Sequence, residues 1–312
     1  MTVPLSDVLI GVFSTTLTLS PFYLFAGMGE VVSEQSGVAN MGLEGIMLMS
    51  LMTTFVVDYM TGNPWVALLA AIGVAGVIGA FFALAAIRLR LDQIASGLAI
   101  YLIGLGLSFV IFNVVYPSGL TPNYIPLPPL VTNWNTGPRA LGLIFLKQNV
   151  MAYVSLVLVV VTAFLLTRTS LGLRVKAVGE NPKAADNMGV NVNKVRFLAT
   201  LFAALTFGVA GFYFAGNFVP GFQTDIIAGR GFIVLAMIYF ANWKPYRVLF
   251  AALSFNIVYA AQSEYVSLSG FGVASFSTLF NMLPYVFLLA LIPLFGRKAR
   301  APKFLLKPYK KG

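Results

Sequence analysis

The sequence LGLRVKAVGENPKAADNMGVNVNKVR, residues 171–196, is the longest polar stretch of the chain, and it separates two long hydrophobic spans. Six of the 20 Lys and Arg residues fall between Arg168 and Arg196. A basic stretch with mixed helix and turn signals between two apolar spans is typical of a loop on an integral membrane protein. We therefore expect the segment 168–196 to be a loop against which another protein docks.

The composition of the 312 residues agrees with a membrane protein. Hydrophobic residues make up 59% of the chain and charged residues 10%, and the mean hydropathy is +0.87. Such a chain has too little polar surface to coat a soluble globule of this length. The net charge of +10 indicates membrane topology rather than nucleic-acid binding. With no Cys and no His, disulfides are excluded, and zinc, haem and histidine-based hydrolysis are poor interpretations.

We predict an all-α, polytopic integral membrane protein. A helix needs roughly 20 apolar residues to cross the hydrocarbon core, and by that measure the chain has about nine candidate spans, within a range of eight to ten. The second span is interrupted by Gly and Asn and the seventh is short, so either fits a broken or re-entrant helix. The spans are 7–28, 36–60, 64–87, 93–116, 149–167, 197–219, 228–243, 246–263 and 275–296.

The distribution of positive charge assigns an orientation. If the loop 168–196 is cytoplasmic, alternation of the spans places 17 of the 20 Lys and Arg on the same side, as the positive-inside rule expects. The basic tail 297–312 is then cytoplasmic and the N-terminus outside. The segment 117–147, rich in Pro and Asn, is then extracytoplasmic, as a plain connector or as a surface that receives a substrate-delivering partner. We expect one multi-pass transmembrane domain over 1–312 in the cytoplasmic membrane.

Ionisable residues inside the spans need a reason, because insertion scales assign each a cost on the order of 2.5 to 3.5 kcal/mol. Glu44, in NMGLEGIMLM, is the one carboxylate that the sequence places firmly inside a span, and Asn40 lies one turn before it. Either these two residues line a polar path, or Glu44 is buried and hydrogen-bonded to backbone at a helix break.

Two further spans begin with polar residues. Asp92 and Gln93 open the fourth span, where an acidic residue suits a helix N-terminus. Arg230 lies between two glycines at the head of the seventh span. It either faces a translocation path or pairs with Asp225.

The chain lacks a means of gripping ATP by a phosphate loop. No Lys is followed by Ser or Thr, so the G-x-x-x-x-G-K-[ST] pattern does not occur. If transport is driven by ATP, the ATPase is another polypeptide and this chain is not itself an enzyme. A proton-driven carrier ordinarily shows several carboxylates or His within its spans, which weakens that alternative.

Four segments carry a family resemblance. Residues 184–189, Ala-Ala-Asp-Asn-Met-Gly, are similar to the Ala-Ala-x-x-x-Gly core of the coupling motif in permease subunits of ATP-binding cassette importers, with Lys183 where that motif usually has Glu. The whole resembles the branch that serves branched-chain amino acids, simple sugars and nucleosides, and its GENP and NMGLEG sequences look closest to nucleoside-type permeases. The segments are SGVANMGLEGIMLM (36–49), LDQIASGLAIYLIGLGL (91–107), GLRVKAVGENPKAADNMGVNVNKVR (172–196) and AGRGFIVLAMIYFANWKPYRVLFAAL (228–253).

The resemblance implies a permease subunit of an ATP-driven importer that moves a nucleoside or simple sugar across the cytoplasmic membrane. The implied partners are a nucleotide-binding ATPase that holds ATP and Mg²⁺, a second permease of different sequence, and an extracytoplasmic binding protein or lipoprotein. The permease itself is expected to lie in the lipid bilayer and to bind neither a cofactor nor nucleic acid. Two other classes stay open: a self-sufficient secondary carrier or facilitator, and a purely structural membrane scaffold.

The resemblance also implies roles for individual residues. A short coupling helix would transmit the closing and opening of the ATPase dimer to the spans, with Asn181 as its N-cap and Pro182 in its first turn. Its small residues would form a face that fits a cleft of the ATPase. The coupling candidates are Gly179, Glu180, Asn181, Pro182, Ala184, Ala185 and Gly189, and the candidates for the translocation path are Asn40, Glu44, Gln93 and Arg230.

Overall fold

The computed structural model describes residues 4–117, 142–218, 225–269, 282–295 and 300–310, together with Leu127, Pro129 and Phe222. These residues are almost entirely helical, and they form no strand beyond one isolated bridge. Six of the helices are long and apolar enough to cross a membrane. The prediction of an all-α, polytopic membrane protein is therefore confirmed. Most of the predicted loop 117–147, and residues 297–299 and 311–312 of the predicted tail, lie outside the described residues.

Each of the nine predicted spans overlaps a helix, and two further helices lie within the loop 168–196. Turns of π-helix follow the third helix at Leu84–Arg88 and precede the fifth at Gly142–Leu146. In chain order, the α-helices of the described residues are α1 (Leu5–Gln35), α2 (Leu43–Thr61), α3 (Pro64–Ala83), α4 (Gln93–Val115), α5 (Val150–Arg168), α6 (Ser170–Glu180), α7 (Pro182–Asn187), α8 (Val192–Asn217), α9 (Arg230–Ala241), α10 (Pro245–Ser269) and α11 (Leu283–Phe295).

The boundary between the first two spans differs from the prediction. α1 continues past residue 28 to Gln35, and α2 begins only at Leu43. The intervening segment leaves the helix at Gly37, whose φ is +95°, a value that glycine adopts without steric cost. The Val38 N–H then bonds back to the Ser33 carbonyl (3.2 Å). The chain thus doubles back along the last turns of α1 instead of starting the next helix at once.

α8 lies at the centre of the bundle. It packs against α1, α2 and α3, α3 also packs on α2, and α5, α9 and α10 pack on α1. Small residues allow the close approach of α3 and α8: a Cβ added at Gly79 would lie 2.0 Å from the Cβ of Ala204, and one added at Gly208 would lie 2.8 Å from the Cβ of Ala75. Close backbone approach of this kind is the usual basis of helix packing in membranes.

One end of the bundle, here called the basic end, gathers residues 36–42, 88–92, 169–191, 242–244 and 300–310. The Ala39 N–H donates to Oε1 of Gln93 (3.0 Å), and the Phe304 N–H donates to the Gly179 carbonyl (2.9 Å). The Lys and Arg of these segments are Arg88, Arg90, Arg174, Lys176, Lys183, Lys244, Arg300, Lys303, Lys307 and Lys310. Segments far apart in sequence therefore place their positive charge at one end.

α9 is the short helix of the bundle. Its 12 residues extend about 18 Å at the rise of an α-helix, which is less than the roughly 30 Å of the hydrocarbon core. Its C-terminal end lies at the basic end, where Oδ1 of Asn242 accepts the Arg300 N–H (3.0 Å). Its N-terminal end therefore lies inside the bundle.

We expect Gly79→Val to lower the free energy of unfolding by about 1–3 kcal/mol, because the added carbons overpack the contact between α3 and α8. Gly73→Val is the matched control: it lies on the same helix, and a Cβ there meets nothing within 4 Å. Thermal unfolding of the detergent-solubilised protein measures both variants. Equal melting temperatures for the two variants would contradict the packing argument.

Candidate functional site

The predicted coupling helix starts as its sequence indicates. α6 ends at Glu180, and the side-chain oxygen of Asn181 accepts the Ala184 N–H (3.1 Å), which caps α7. Pro182 occupies the first turn of α7, where its missing N–H costs nothing. Glu180 and Asn181 are exposed at the junction, whereas Pro182 is buried.

The same helix ends in a Schellman motif. The Gly189 N–H donates to the Asp186 carbonyl (2.9 Å), and the Val190 N–H donates to the Ala185 carbonyl (3.0 Å). This pair of bonds requires a left-handed residue after the helix, and Gly189 has a φ of +81°. Gly189 therefore supplies the turn that ends α7.

α7 has one exposed and one buried face. Ala184, Met188 and Gly189 are exposed, and Met188 keeps 85% of its surface accessible. Ala185 is only 5% exposed, and it packs with Val178 and other residues in a small apolar cluster. The expected small-residue face is therefore not one surface: Ala184 and Gly189 are exposed, whereas Ala185 points into the protein. Met188 was missed from sequence, although its spacing of four residues from Ala184 places both on one helix face.

Gly179 does not belong to the exposed face either. A Cβ there would lie 2.1 Å from the Gln35 carbonyl oxygen, so no larger residue fits without displacing the end of α1. The carbonyl of Gly179 accepts the Phe304 N–H (2.9 Å). Gly179 is the point at which α6, the end of α1 and the C-terminal tail meet.

Glu44 is fully buried and holds the start of α9. Its Oε1 accepts the Gly229 N–H (2.6 Å), and Gly229 itself has a φ of +80°. A Cβ at Gly231 would lie 2.9 Å from the Cβ of Glu44, so the two helices touch at this point. Because backbone groups inside a membrane protein need internal partners, the carboxylate permits α9 to begin within the bundle. The structure thus shows the bonded arrangement at a helix break, and the role of Glu44 in a translocation path stays a prediction.

Asn40 and Gln93 stabilise the segment 36–42 by hydrogen bonds. The Asn40 N–H donates to Oε1 of Glu30 (2.8 Å), and Oδ1 of Asn40 accepts the Gly42 N–H (3.0 Å). Oε1 of Gln93 accepts the Ala39 N–H (3.0 Å). Both side chains are buried. The neighbouring Asp92 is the expected N-cap, and its Oδ1 accepts the Ala95 N–H (2.8 Å).

Two further carboxylates are buried in the last turns of α1. Glu30 is 0% exposed and Glu34 is 6% exposed, so the expectation that Glu44 is the one carboxylate inside a span is wrong. Glu34 accepts the indole N–H of Trp243, and Nε2 of Gln35 donates to the Trp243 carbonyl (2.7 Å). The sequence signal was the spacing of four residues between the two glutamates, just beyond the predicted end of the first span.

Arg196 is a buried cation that sequence reasoning also missed. It is 2% exposed, its Nε donates to the Ser36 carbonyl (3.1 Å) and its Nη1 donates to the Lys307 carbonyl (3.0 Å). Ser36 follows the last residue of α1, where free carbonyls carry the negative end of the helix dipole. Arg196 thereby joins α1, α8 and the C-terminal tail.

Arg230 is the one half-accessible residue among the four path candidates. Its Nη1 donates to the carbonyls of Ile226 (3.4 Å) and Ile227 (3.1 Å), and its guanidinium lies 5.5 Å from the ring centre of Phe214. It therefore bonds to its own turn, and its side chain also interacts with the hydroxyls of Tyr23 and Tyr259. The carboxylate of Asp225 instead interacts with the hydroxyl of Tyr101. The structure brings Glu44 and Arg230 together at the start of α9 and places Asn40 and Gln93 at the segment 36–42. Among the described residues, no set of His, Cys, Asp and Glu is grouped to hold a metal ion.

We expect Glu44→Ala to destabilise the protein by about 1–3 kcal/mol, because the Gly229 N–H loses its acceptor in a buried site. Glu44→Gln is the control, since its amide oxygen can still accept that bond, and its loss should be smaller. Thermal unfolding in detergent compares the three proteins. Wild-type stability in Glu44→Ala would show that this bond is not what holds the start of α9.

Three curated proteins are similar to the chain over most of its length. The guanosine ABC transporter permease protein NupQ of Bacillus subtilis is 36% identical over 311 residues, 95% of either chain. The putative glucose ABC transporter permease protein TsgC13 of Haloferax volcanii is 34% identical over 259 residues, 83% of this chain and 79% of the relative. The nucleoside ABC transporter permease protein NupC of Lactococcus lactis is 30% identical over 303 residues, 94% of either chain. No solved structure matches the chain significantly.

A family model extends this similarity. The model for the permease component of the branched-chain amino acid transport system matches residues 12–292, which include every helix from α2 to α10. The match spans the exposed α7, the Glu44 site and the helical bundle that holds them. The chain belongs to this family of ABC transporter permeases.

Proposed function

We propose that this chain is the membrane permease of an ATP-driven importer for nucleosides, with simple sugars as the second class of cargo. The cargo is inferred from relatives named for guanosine, nucleoside and glucose transport. The observation that carries the importer mechanism is α7, a capped helix at the basic end with an apolar side chain, Met188, 85% exposed. A single exposed apolar side chain is common on protein surfaces, so the support for docking is that Met188 shares a capped helix with the exposed small residues Ala184 and Gly189.

In this proposal α7 docks into a cleft of the ATPase through its exposed face. Lys183, Ala184, Asn187, Met188 and Gly189 are all exposed, and the small residues leave room for the partner to approach. Glu180 and Asn181 form the edge of this surface, whereas Gly179, Pro182 and Ala185 hold it from within. ATP and Mg²⁺ then belong to the ATPase, and this chain contributes force transmission without chemistry of its own.

The basic end faces the cytoplasm in this proposal. Positively charged loops are retained on the cytoplasmic side of a membrane, and the Lys and Arg of loop 168–196 and tail 297–312 would be retained together. The N-terminus and the segment 117–147 then lie outside, where a binding protein or lipoprotein would deliver the substrate. The second permease would pack beside this chain in the bilayer. We propose that its sequence differs from that of this chain.

We further propose that the turn 225–229 and Arg230 face the translocation path. Asp225 and Ala228 have φ values of +55° and +51°, and left-handed backbone at residues other than glycine concentrates at functional sites. Charged side chains inside spans commonly face a water-filled cavity, and Arg230 keeps part of its surface accessible in addition to its bonds within the bundle. Glu44, Asn40 and Gln93 would then shape the path by holding the backbone around it.

Co-purification tests the assignment directly. An N-terminally tagged chain, extracted from native membranes in mild detergent, should bring down an ATPase with a phosphate loop and a second permease. Uptake of labelled guanosine and labelled glucose by the same cells, with and without this chain, then identifies the cargo. Recovery of the chain alone, from a preparation that keeps other importers intact, would favour a self-sufficient carrier.

We expect Met188→Asp to weaken docking of the ATPase by about 2 kcal/mol, roughly thirtyfold, as for a central interface anchor. Uptake should fall accordingly while the permease stays folded, because residue 188 makes few contacts inside the chain. Asn193→Asp is the matched control, an exposed position on the first turn of α8. A self-sufficient carrier would transport equally well with either change.

Ala185→Asp is a poorer test of docking. The carboxylate would enter the apolar cluster beneath α7, where an unpaired charge is strongly unfavourable. Loss of uptake in that variant would therefore report damage to the loop as well as loss of the partner.

A further inference from the structure

The C-terminal tail, residues 300–310, crosses the basic end as a strap with a turn at residues 303–306, and it is bonded mainly through its backbone. It joins four elements that are distant in sequence: the turn after α9, the end of α6, the segment after α1 and the start of α8. Its hydrogen bonds are Arg300 N–H to Oδ1 of Asn242 (3.0 Å), Phe304 N–H to the Gly179 carbonyl (2.9 Å), Leu306 N–H to the Gly37 carbonyl (3.2 Å) and Nη1 of Arg196 to the Lys307 carbonyl (3.0 Å).

Tyr309 carries this strap beneath the coupling helix. Its side chain is 7% exposed, and it forms an apolar cluster with Val178 of α6, Ala185 of α7 and Val192 of α8. Its hydroxyl interacts with Asp186, and burial together with that carboxylate raises the pKa of the Tyr309 phenol. The phenol thus stays neutral and can donate to Asp186 at physiological pH.

α7 depends on this cluster more than a longer helix would. It has six residues, too few to be stable alone, and its main helix contacts are with α6 and α8, its neighbours in the chain. The side chain of Ala185 is small, so the side chains of the apolar cluster fill the space under the buried face of α7. Without the ring of Tyr309, Ala185 would lose its van der Waals contacts on that side.

We propose that Tyr309 is a positioning residue for the coupling step: it seats α7 on α6 and α8, so that force applied by the ATPase moves the bundle and not α7 alone. The inference rests on the proposed importer function. Close-packed contacts transmit displacement, whereas a void absorbs it. The strap bonds at Gly179 and Gly37 continue the contact to the end of α1, and Arg196 continues it to α8.

The test uses the complete importer, with its ATPase and second permease, reconstituted in proteoliposomes. We expect Tyr309→Ala to leave the complex assembled and hydrolysing ATP, while guanosine uptake per ATP falls about tenfold, within the range over which residues along a coupling route act. Tyr309→Phe keeps the ring and should retain most of the uptake. Lys310→Ala, exposed on the next residue, should behave as wild type.

A wild-type ratio of uptake to ATP hydrolysis in Tyr309→Ala would overturn the role of Tyr309 and leave the importer function standing. Failure of the wild-type complex to take up guanosine or glucose on addition of ATP would instead overturn the proposed function, and with it this inference. The two failures are therefore distinguishable.

A second measurement needs no transport. Because the chain has no native Cys, a spin label at Asn187→Cys, an exposed position at the end of α7, reports on α7 alone in the full-length permease. We expect its mobility to rise in Tyr309→Ala and to stay unchanged in Lys310→Ala. Equal mobility in both variants would overturn the proposal even if Tyr309→Ala assembled poorly with the ATPase.

Discussion

The carboxylate of Glu44 accepts the backbone N–H of Gly229, and the start of α9 inside the bundle depends on this bond. A helix that begins inside a membrane protein exposes N–H groups that lipid cannot satisfy. Glu44 lies fully buried on α2 and supplies an acceptor to the start of α9. A side chain from another helix thus satisfies the backbone N–H group at the start of α9.

At the basic end, further buried polar side chains also bond to groups of other segments. Glu30 and Glu34 bond to a backbone N–H and an indole N–H, and Arg196 bonds to two carbonyls. Each of these side chains bonds to a group of another segment, and Glu30 and Glu34 also bond to each other. The result is a continuous connection from α7 through Tyr309 and the strap to α1, and from Trp243 to α9 and Glu44. The exposed face of α7 and the start of α9 are therefore connected through one set of packed residues.

Sequence reasoning placed most of the fold and part of the site. The spans followed from apolar length, and the caps at Asn181 and Asp92 followed from local hydrogen bonding between residues three apart. It ended the first span too early, because polar residues in the last turns of α1 resemble a loop when their partners are unknown. It also failed to place Ala185 inside, since a helix of six residues has too little periodicity to define a buried face.

By itself, the sequence determined the membrane class, the helical spans, the local caps and the charge that gathers at one end. Each depends on apolar length or on contacts between near neighbours in the chain. Only the tertiary structure decided which polar residues are buried and what they hold. Glu44 and Gly229 are 185 residues apart, and Glu34 and Trp243 are 209 apart. Their energetic effect depends on a distance in space, which no local pattern encodes.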